Sequence, residues 1–238
     1  MTFPPTTELA RDPRVVAGLE RQLELRARRL GAGEQPLGWK LGFGSAPARE
    51  MLGTVAPLVG FMTDRSVLDR PASCSIAGWA NPMLEPEVAA RIGTAPTPGG
   101  SLEDAAEAID GLAPAFELAD LDPPPANVEE ILAGNIFHRA VVVGEFAEPS
   151  AAAPEALRGE LTVGDGPTEE VADPEAATGP VAGLIRHVAD LLAAFDAELA
   201  SGEIVICGSI VPPIAVRPGD RVSYRLAPVG ALEIELSG

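Results

Sequence analysis

The stretch NPMLEPEVAARIG, residues 81–93, sets two glutamates one residue apart in an otherwise apolar run. Read as a strand, it points Glu85 and Glu87 to the same side, because side chains alternate faces with period two. Two like charges on one face of a core strand repel, and burial raises at least one pKa unless a cation stands between them. A divalent cation removes the conflict: Mg2+ and Mn2+ prefer hard oxygen ligands and leave positions open for water and substrate. The other reading makes the pair the wet face of an edge strand, where glutamates are common.

Two further residues bear on that choice. Glu117, in PAFELAD, also stands in an apolar run and is the candidate third carboxylate. Lys40, in GWKLGFG, lies between Trp39 and Leu41 with glycines at 38, 42 and 44, which allow close backbone approach. A lysine held there is an acid–base group or a cation for an anionic substrate. Its alternative is a lysine on the solvent side of a strand.

The surrounding pattern predicts the fold class. Helices are expected over 14–30, 46–53, 101–112, 127–134 and, most strongly, 181–199, where apolar residues recur at helical spacing. Strands are expected over 37–43, 56–62, 81–93, 112–120 and 138–145. GELTVGDGPTEEV reads as a hairpin, and the tail EIVICGSIV, PIAVRPGDRVSYRL and ALEIELS as alternating strands. Residues 147–159, rich in alanine, proline and glutamate, read as a mobile loop. Many short strands with few helices predict a mostly-β α+β fold with a curled or barrel-like sheet. The shift in pattern suggests a small N-terminal cap over residues 1–70, before a β-rich catalytic part over 71–238. His187 falls on the polar side of the long helix and reads as exposed; His138 opens a strand.

Composition excludes several function classes. The 238 residues carry a net charge of −18, which opposes nucleic acid and anionic membrane surfaces as partners. Cys74 and Cys207 lie far apart and form no metal-ligand spacing. The N-terminus lacks a signal-peptide pattern and no apolar run approaches the ~18 residues of a membrane span, so a cytoplasmic protein is expected.

The order GWKLGFG, PMLEPEVA, LAPAFELAD, AGNIFHRAVVVG, LASGEIVICGSIVPPIAVRPGDRV and the alternating tail resembles the 2-keto-4-pentenoate hydratase and 4-oxalocrotonate decarboxylase branch of the fumarylacetoacetate hydrolase superfamily. The resemblance runs from about residue 20 to the end. It implies a mixed β-sheet roll with a small N-terminal helical part, and a Mg2+ or Mn2+ ion held by Glu85, Glu87 and Glu117. It further implies Lys40 and Asp64 as catalytic residues, and Asn135 and Ser209 as substrate-binding ones.

The implied activity is a metal-dependent lyase acting on a short 2-oxo or 2-hydroxydienoic acid, in the catabolism of aromatic compounds. The hydratase is the first expectation. A 4-oxalocrotonate-type decarboxylase, an acylpyruvate hydrolase and a weakly active partner of a hydratase–decarboxylase complex are alternatives. A glutamate as third ligand, and no histidine before His138, disfavour the hydrolase. A homo-oligomer is implied by the resemblance alone. Three positions depart from the family pattern: Thr178-Gly179-Pro180 replaces Gly-His-Pro, Cys207 replaces a hydroxyl residue, and Val211 replaces a glycine. They lie near where the family binds the substrate's carboxylate or distal end.

Overall fold

The structure, a computed structural model, describes residues 6–148 and 156–238. Most of the expected loop at 147–159 lies outside the described residues. Two helices lead in: the short α1 (Thr6–Leu9) and the long α2 (Pro13–Gly31). Asp12 caps α2 by accepting the Arg14 N–H, Pro13 occupies its first turn, and the chain leaves the helix through Ala32 and the left-handed Gly33.

Seven strands form one sheet in the order β2 (Leu58–Thr63), β1 (Pro36–Gly42), β9 (Ile204–Ser209), β4 (Pro82–Ile92), β5 (Ile109–Asp120), β6 (His138–Val143), with β10 (Ile214–Ala215) pairing on β4. A second sheet runs β3 (Ala72–Ser75), β12 (Gly230–Ser237), β11 (Arg221–Ala227), β7 (Arg158–Val163), β8 (Glu169–Val171). β1 with β9 and β12 with β3 are parallel and the remaining pairs antiparallel, so both sheets are mixed. The first sheet curls until its ends meet: the chain just after β2 reaches β6, where the Leu68 N–H donates to the Val141 carbonyl. Closure of this kind removes open edges. Inside the curl the residues are small, with Ala89, Ala113 and Ala115 packed on Met62, Val141 and Ile206. The larger core lies on the outer face, against the second sheet and the helices.

β1 and β2 lie within the closed sheet, so the chain before residue 70 shares its core with the chain after it. The remaining helices are α3 (Ala46–Leu52), α4 (Leu102–Glu107), α5 (Val128–Ala133) and α6 (Val181–Ala193). α3 ends on the left-handed Gly53, and α4 carries a Ser101–Asp104 capping box. α2 grips α5 closely. A Cβ at Gly18 would stand 2.7 Å from the Glu129 carbonyl, and Gln22 donates to the Leu132 carbonyl at 2.9 Å.

Two sequence expectations are corrected. α6 stops at Ala193 rather than near 199, because Asp196 turns left-handed and the Ala197 N–H returns to the Leu192 carbonyl. His187 is buried, not exposed. α1 covers that side of α6, and the ring contacts Thr6 Oγ1 at 3.0 Å and the Pro57 carbonyl at 2.9 Å. Burial pushes its pKa down to about 4.

Candidate metal centre

The β4–β5 ladder places Glu85 directly opposite Glu117, with Glu87 two residues along the same face. Ligand atoms of the three carboxylates all lie within 4.8 Å of one another. Pro86 between the two glutamates is tolerated in a central strand for a local reason. Its carbonyl takes the Ile210 N–H, and its nitrogen, on that same edge, lies where β9 has ended and β10 has not begun.

Glu87 and Glu117 are each held on one side and left open on the other. Glu87 Oε2 accepts the Gly208 N–H at 2.6 Å, while its buried Oε1 has no partner. Gly208 is left-handed, and a Cβ there would stand 2.9 Å from Thr178 Cγ2, so glycine is required. Glu117 Oε1 receives Lys40 Nζ at 2.5 Å and His138 Nδ1 at 2.8 Å, while its buried Oε2 has no partner.

Burial pushes Glu85 up to about 7, reinforced by the charge of Glu117. Glu87 is raised well above the usual carboxylate range by burial and then by Glu117 and Glu85. Glu117 goes the other way: burial pushes it up, but the Lys40 charge and the His138 bond outweigh burial and leave it lowered.

Lys40 is buried rather than solvated, at 2% exposure. It pairs with Gly60 on β2 and Ile206 on β9, and its ammonium also donates to the Ile136 carbonyl at 3.2 Å. Gly60 leaves the room: a Cβ there would stand 3.0 Å from Asn135 Oδ1 and 3.1 Å from Lys40 Cγ. Asn135 Oδ1 accepts the Phe61 N–H and its Nδ2 donates to the Phe61 carbonyl, both at 2.9 Å. Its amide therefore fastens the 135–137 turn to β2. Ser209 stands opposite Glu87 across the β4–β9 pairing, half-buried, with Oγ 3.5 Å from the Pro86 carbonyl.

The structure thus brings Lys40, Glu85, Glu87 and Glu117 together, with Ser209 beside them. Asp64 stands apart. It is exposed on a single 3₁₀ turn after β2 and accepts the Gln35 N–H at 2.9 Å. Four residues of extended chain separate it from Gly60, roughly 13 Å.

His138 is the residue whose place alternation does not give. Val141 pairs with Glu117, so counting back by twos would put Arg139 on the carboxylate face. A bulge between Leu118 and Ala119 shifts the register and pairs His138 with Ala119, which turns the histidine inward instead. Burial lowers its pKa, against the opposing bond to Glu117.

The donor set fits a hard divalent cation. Three carboxylates converge, two of them with a buried oxygen that no described group satisfies, and a buried orphan oxygen is costly unless an ion or water meets it. The profile described as fumarylacetoacetate (FAA) hydrolase C-terminal matches residues 39–237. The chain belongs to that family.

Among relatives of this chain, a 2-hydroxyhexa-2,4-dienoate hydratase from Comamonas testosteroni is 26% identical, covering 99% of the chain and 91% of the relative. A 4-oxalocrotonate decarboxylase from Pseudomonas sp. is also 26% identical, covering 92% and 86%. The structure of 4-oxalocrotonate decarboxylase from Pseudomonas putida G7, complexed with magnesium and adipate, superposes with a TM-score of 0.87. It is 22% identical and covers 97% of this chain and 89% of that one. The mixed-sheet roll expected from the sequence is therefore the FAA hydrolase fold. Among the described residues, no helix is long and apolar enough to cross a membrane.

Proposed function

We propose that this protein is a divalent-metal-dependent lyase that hydrates a short 2-oxo or 2-hydroxydienoic acid. The observation that carries the reading is the convergence of Glu85, Glu87 and Glu117 on one inward face, beside a buried Lys40. In this reading Glu85, Glu87 and Glu117 hold the Mg2+ or Mn2+. The bound cation supplies positive charge that stabilises the enolate developing in the substrate's 2-oxo acid head. Lys40 uses donors on Glu117 and Ile136 and has a third for the substrate, where it moves a proton. Ser209, opposite Glu87 across the β4–β9 pairing, contacts the substrate.

The same family reading supports a cytoplasmic homo-oligomer. The presence of all three carboxylates and the lysine supports an active subunit over an inactive partner of a hydratase–decarboxylase complex.

The test is turnover of a panel of 2-hydroxydienoates, oxalocrotonate, acylpyruvates and oxaloacetate, with and without Mg2+ or Mn2+. Metal-dependent hydration of a 2-hydroxydienoate is the expected result. No turnover of any of them, together with no divalent-ion binding by calorimetry, overturns the reading.

A further inference from the structure

Glu117 Oε1 already has two donors, Lys40 Nζ at 2.5 Å and His138 Nδ1 at 2.8 Å. A carboxylate oxygen offers two lone-pair positions, so Oε1 is saturated, and the lysine's charge also repels a cation from it. Oε2 is buried and without a partner among the described residues. Because an ionised carboxylate only accepts, the ring carries a proton on Nδ1, and the equally buried Nε2 has no partner among the described residues.

We propose that His138 is a positioning residue of this centre. With Lys40 it pins Glu117 Oε1 and leaves Oε2 as the oxygen that faces the cation. Nothing else in the reading assigns His138 a role, and the inference rests on the metal-centre reading.

The local backbone supports it. Asn135, Ile136 and Phe137 are all left-handed, with φ of 59°, 53° and 60°. Such a conformation is rare for a β-branched residue such as Ile136. This run is what α5 delivers and what Asn135 fastens to Phe61, and it ends on His138 at the register shift that turns the ring inward. One short segment thus supplies an acceptor and a donor to the centre: the Ile136 carbonyl accepts from Lys40, and the His138 ring donates to Glu117.

The experiment titrates Mg2+ and Mn2+ into the metal-free protein by calorimetry, for wild type and for His138→Asn, His138→Gln and His138→Leu. Partners that orient a ligand are worth about 10–100-fold in metal affinity. That loss is expected for the leucine and glutamine variants. Asparagine, whose amide nitrogen reaches where Nδ1 sits, is expected to restore affinity close to wild type. The chain has two histidines, so ¹⁵N spectra of the metal-free protein read the His138 tautomer directly, and protonation on Nδ1 is expected.

Wild-type affinity in His138→Leu, or a proton on Nε2 in place of Nδ1, overturns the proposal while the metal centre stands. If wild type itself binds no divalent ion, the metal-centre reading fails first. Should the leucine variant not fold, equal affinities of the asparagine and glutamine variants overturn the proposal.

Discussion

Lys40 Nζ and Glu117 Oε1 meet at 2.5 Å with both side chains buried. Removing one partner of such a pair leaves an uncompensated charge in a dry place, at a cost of about 3–5 kcal/mol. Lys40→Met should therefore abolish turnover and also lower the melting temperature of the metal-free protein. Added Mg2+ should restore much of that loss, since a cation neutralises Glu117 in the lysine's stead. Thermal melts with and without Mg2+ check this. A metal-free variant that melts with wild type would show that the pair is not what keeps Glu117 ionised.

Glu87→Gln should act in the opposite direction on stability. Glu87 is fully buried among Glu85 and Glu117, and its amide analogue keeps the Gly208 N–H bond while losing the repelled charge. The metal-free variant should melt higher than wild type, and its Mg2+ affinity should fall by at least about tenfold. Unchanged affinity in a calorimetric titration would remove Glu87 from the ligand set.

These two variants rest on residues that were legible in the sequence, and the reason is physical. Period-two alternation puts Glu85 and Glu87 on one face whatever the partner strand, and apolar neighbours announce that Glu117 and Lys40 are enclosed. Three features were not legible. His138 reaches the carboxylates through a register shift that alternation cannot foresee. His187 is buried by α1, a four-residue turn too short to show a period. The curled sheet itself is expected from the many short strands, but the residues that close it, 68 and 141, form a long-range pairing that no local pattern encodes.

Asp64 provides a test of resemblance against placement. The family order points to it as catalytic, yet its carboxylate is exposed and accepts a backbone N–H from Gln35. Asn keeps that acceptor. Asp64→Asn should leave kcat close to wild type, measured with the best substrate at saturating Mg2+. A collapse of kcat with unchanged metal affinity would return Asp64 to the reaction.

Asn135 should behave as a fastener. Both polar atoms of its amide are taken by the Phe61 main chain, and its φ of 59° suits asparagine or glycine. Asn135→Ala loses two buried hydrogen bonds and strains the backbone, at about 2–4 kcal/mol. Asn135→Gly should lose less, because it keeps the conformation. Equal melting temperatures for the two variants would show that backbone strain contributes nothing at this position.

The pH dependence follows from Glu85, whose pKa stands at about 7 in the folded chain against an ordinary 4.5. A carboxyl with a raised folded pKa binds its proton more tightly folded than unfolded. Its contribution is therefore fully present below about pH 4.5 and is lost as pH rises through about 7. Glu87, raised by the same burial and the same neighbours, acts in the same direction. Glu117, lowered by Lys40 and His138 against its burial, contributes oppositely, but its change falls at the acid end, below the ordinary carboxylate range. The buried histidines, His187 held down to about 4 and His138 also lowered, oppose this trend below about pH 6.5, so it is between pH 6.5 and 8 that the metal-free protein should lose stability as pH rises. Cation binding needs the carboxylates ionised, so Mg2+ should stabilise little at pH 5 and strongly at pH 8, releasing protons as it binds. Melts at pH 5, 6.5 and 8, each with and without Mg2+, check the two slopes together. If the metal-free protein gains stability between pH 6.5 and 8, Glu85 and Glu87 are not protonated partners awaiting a cation, and the acidic face needs another explanation.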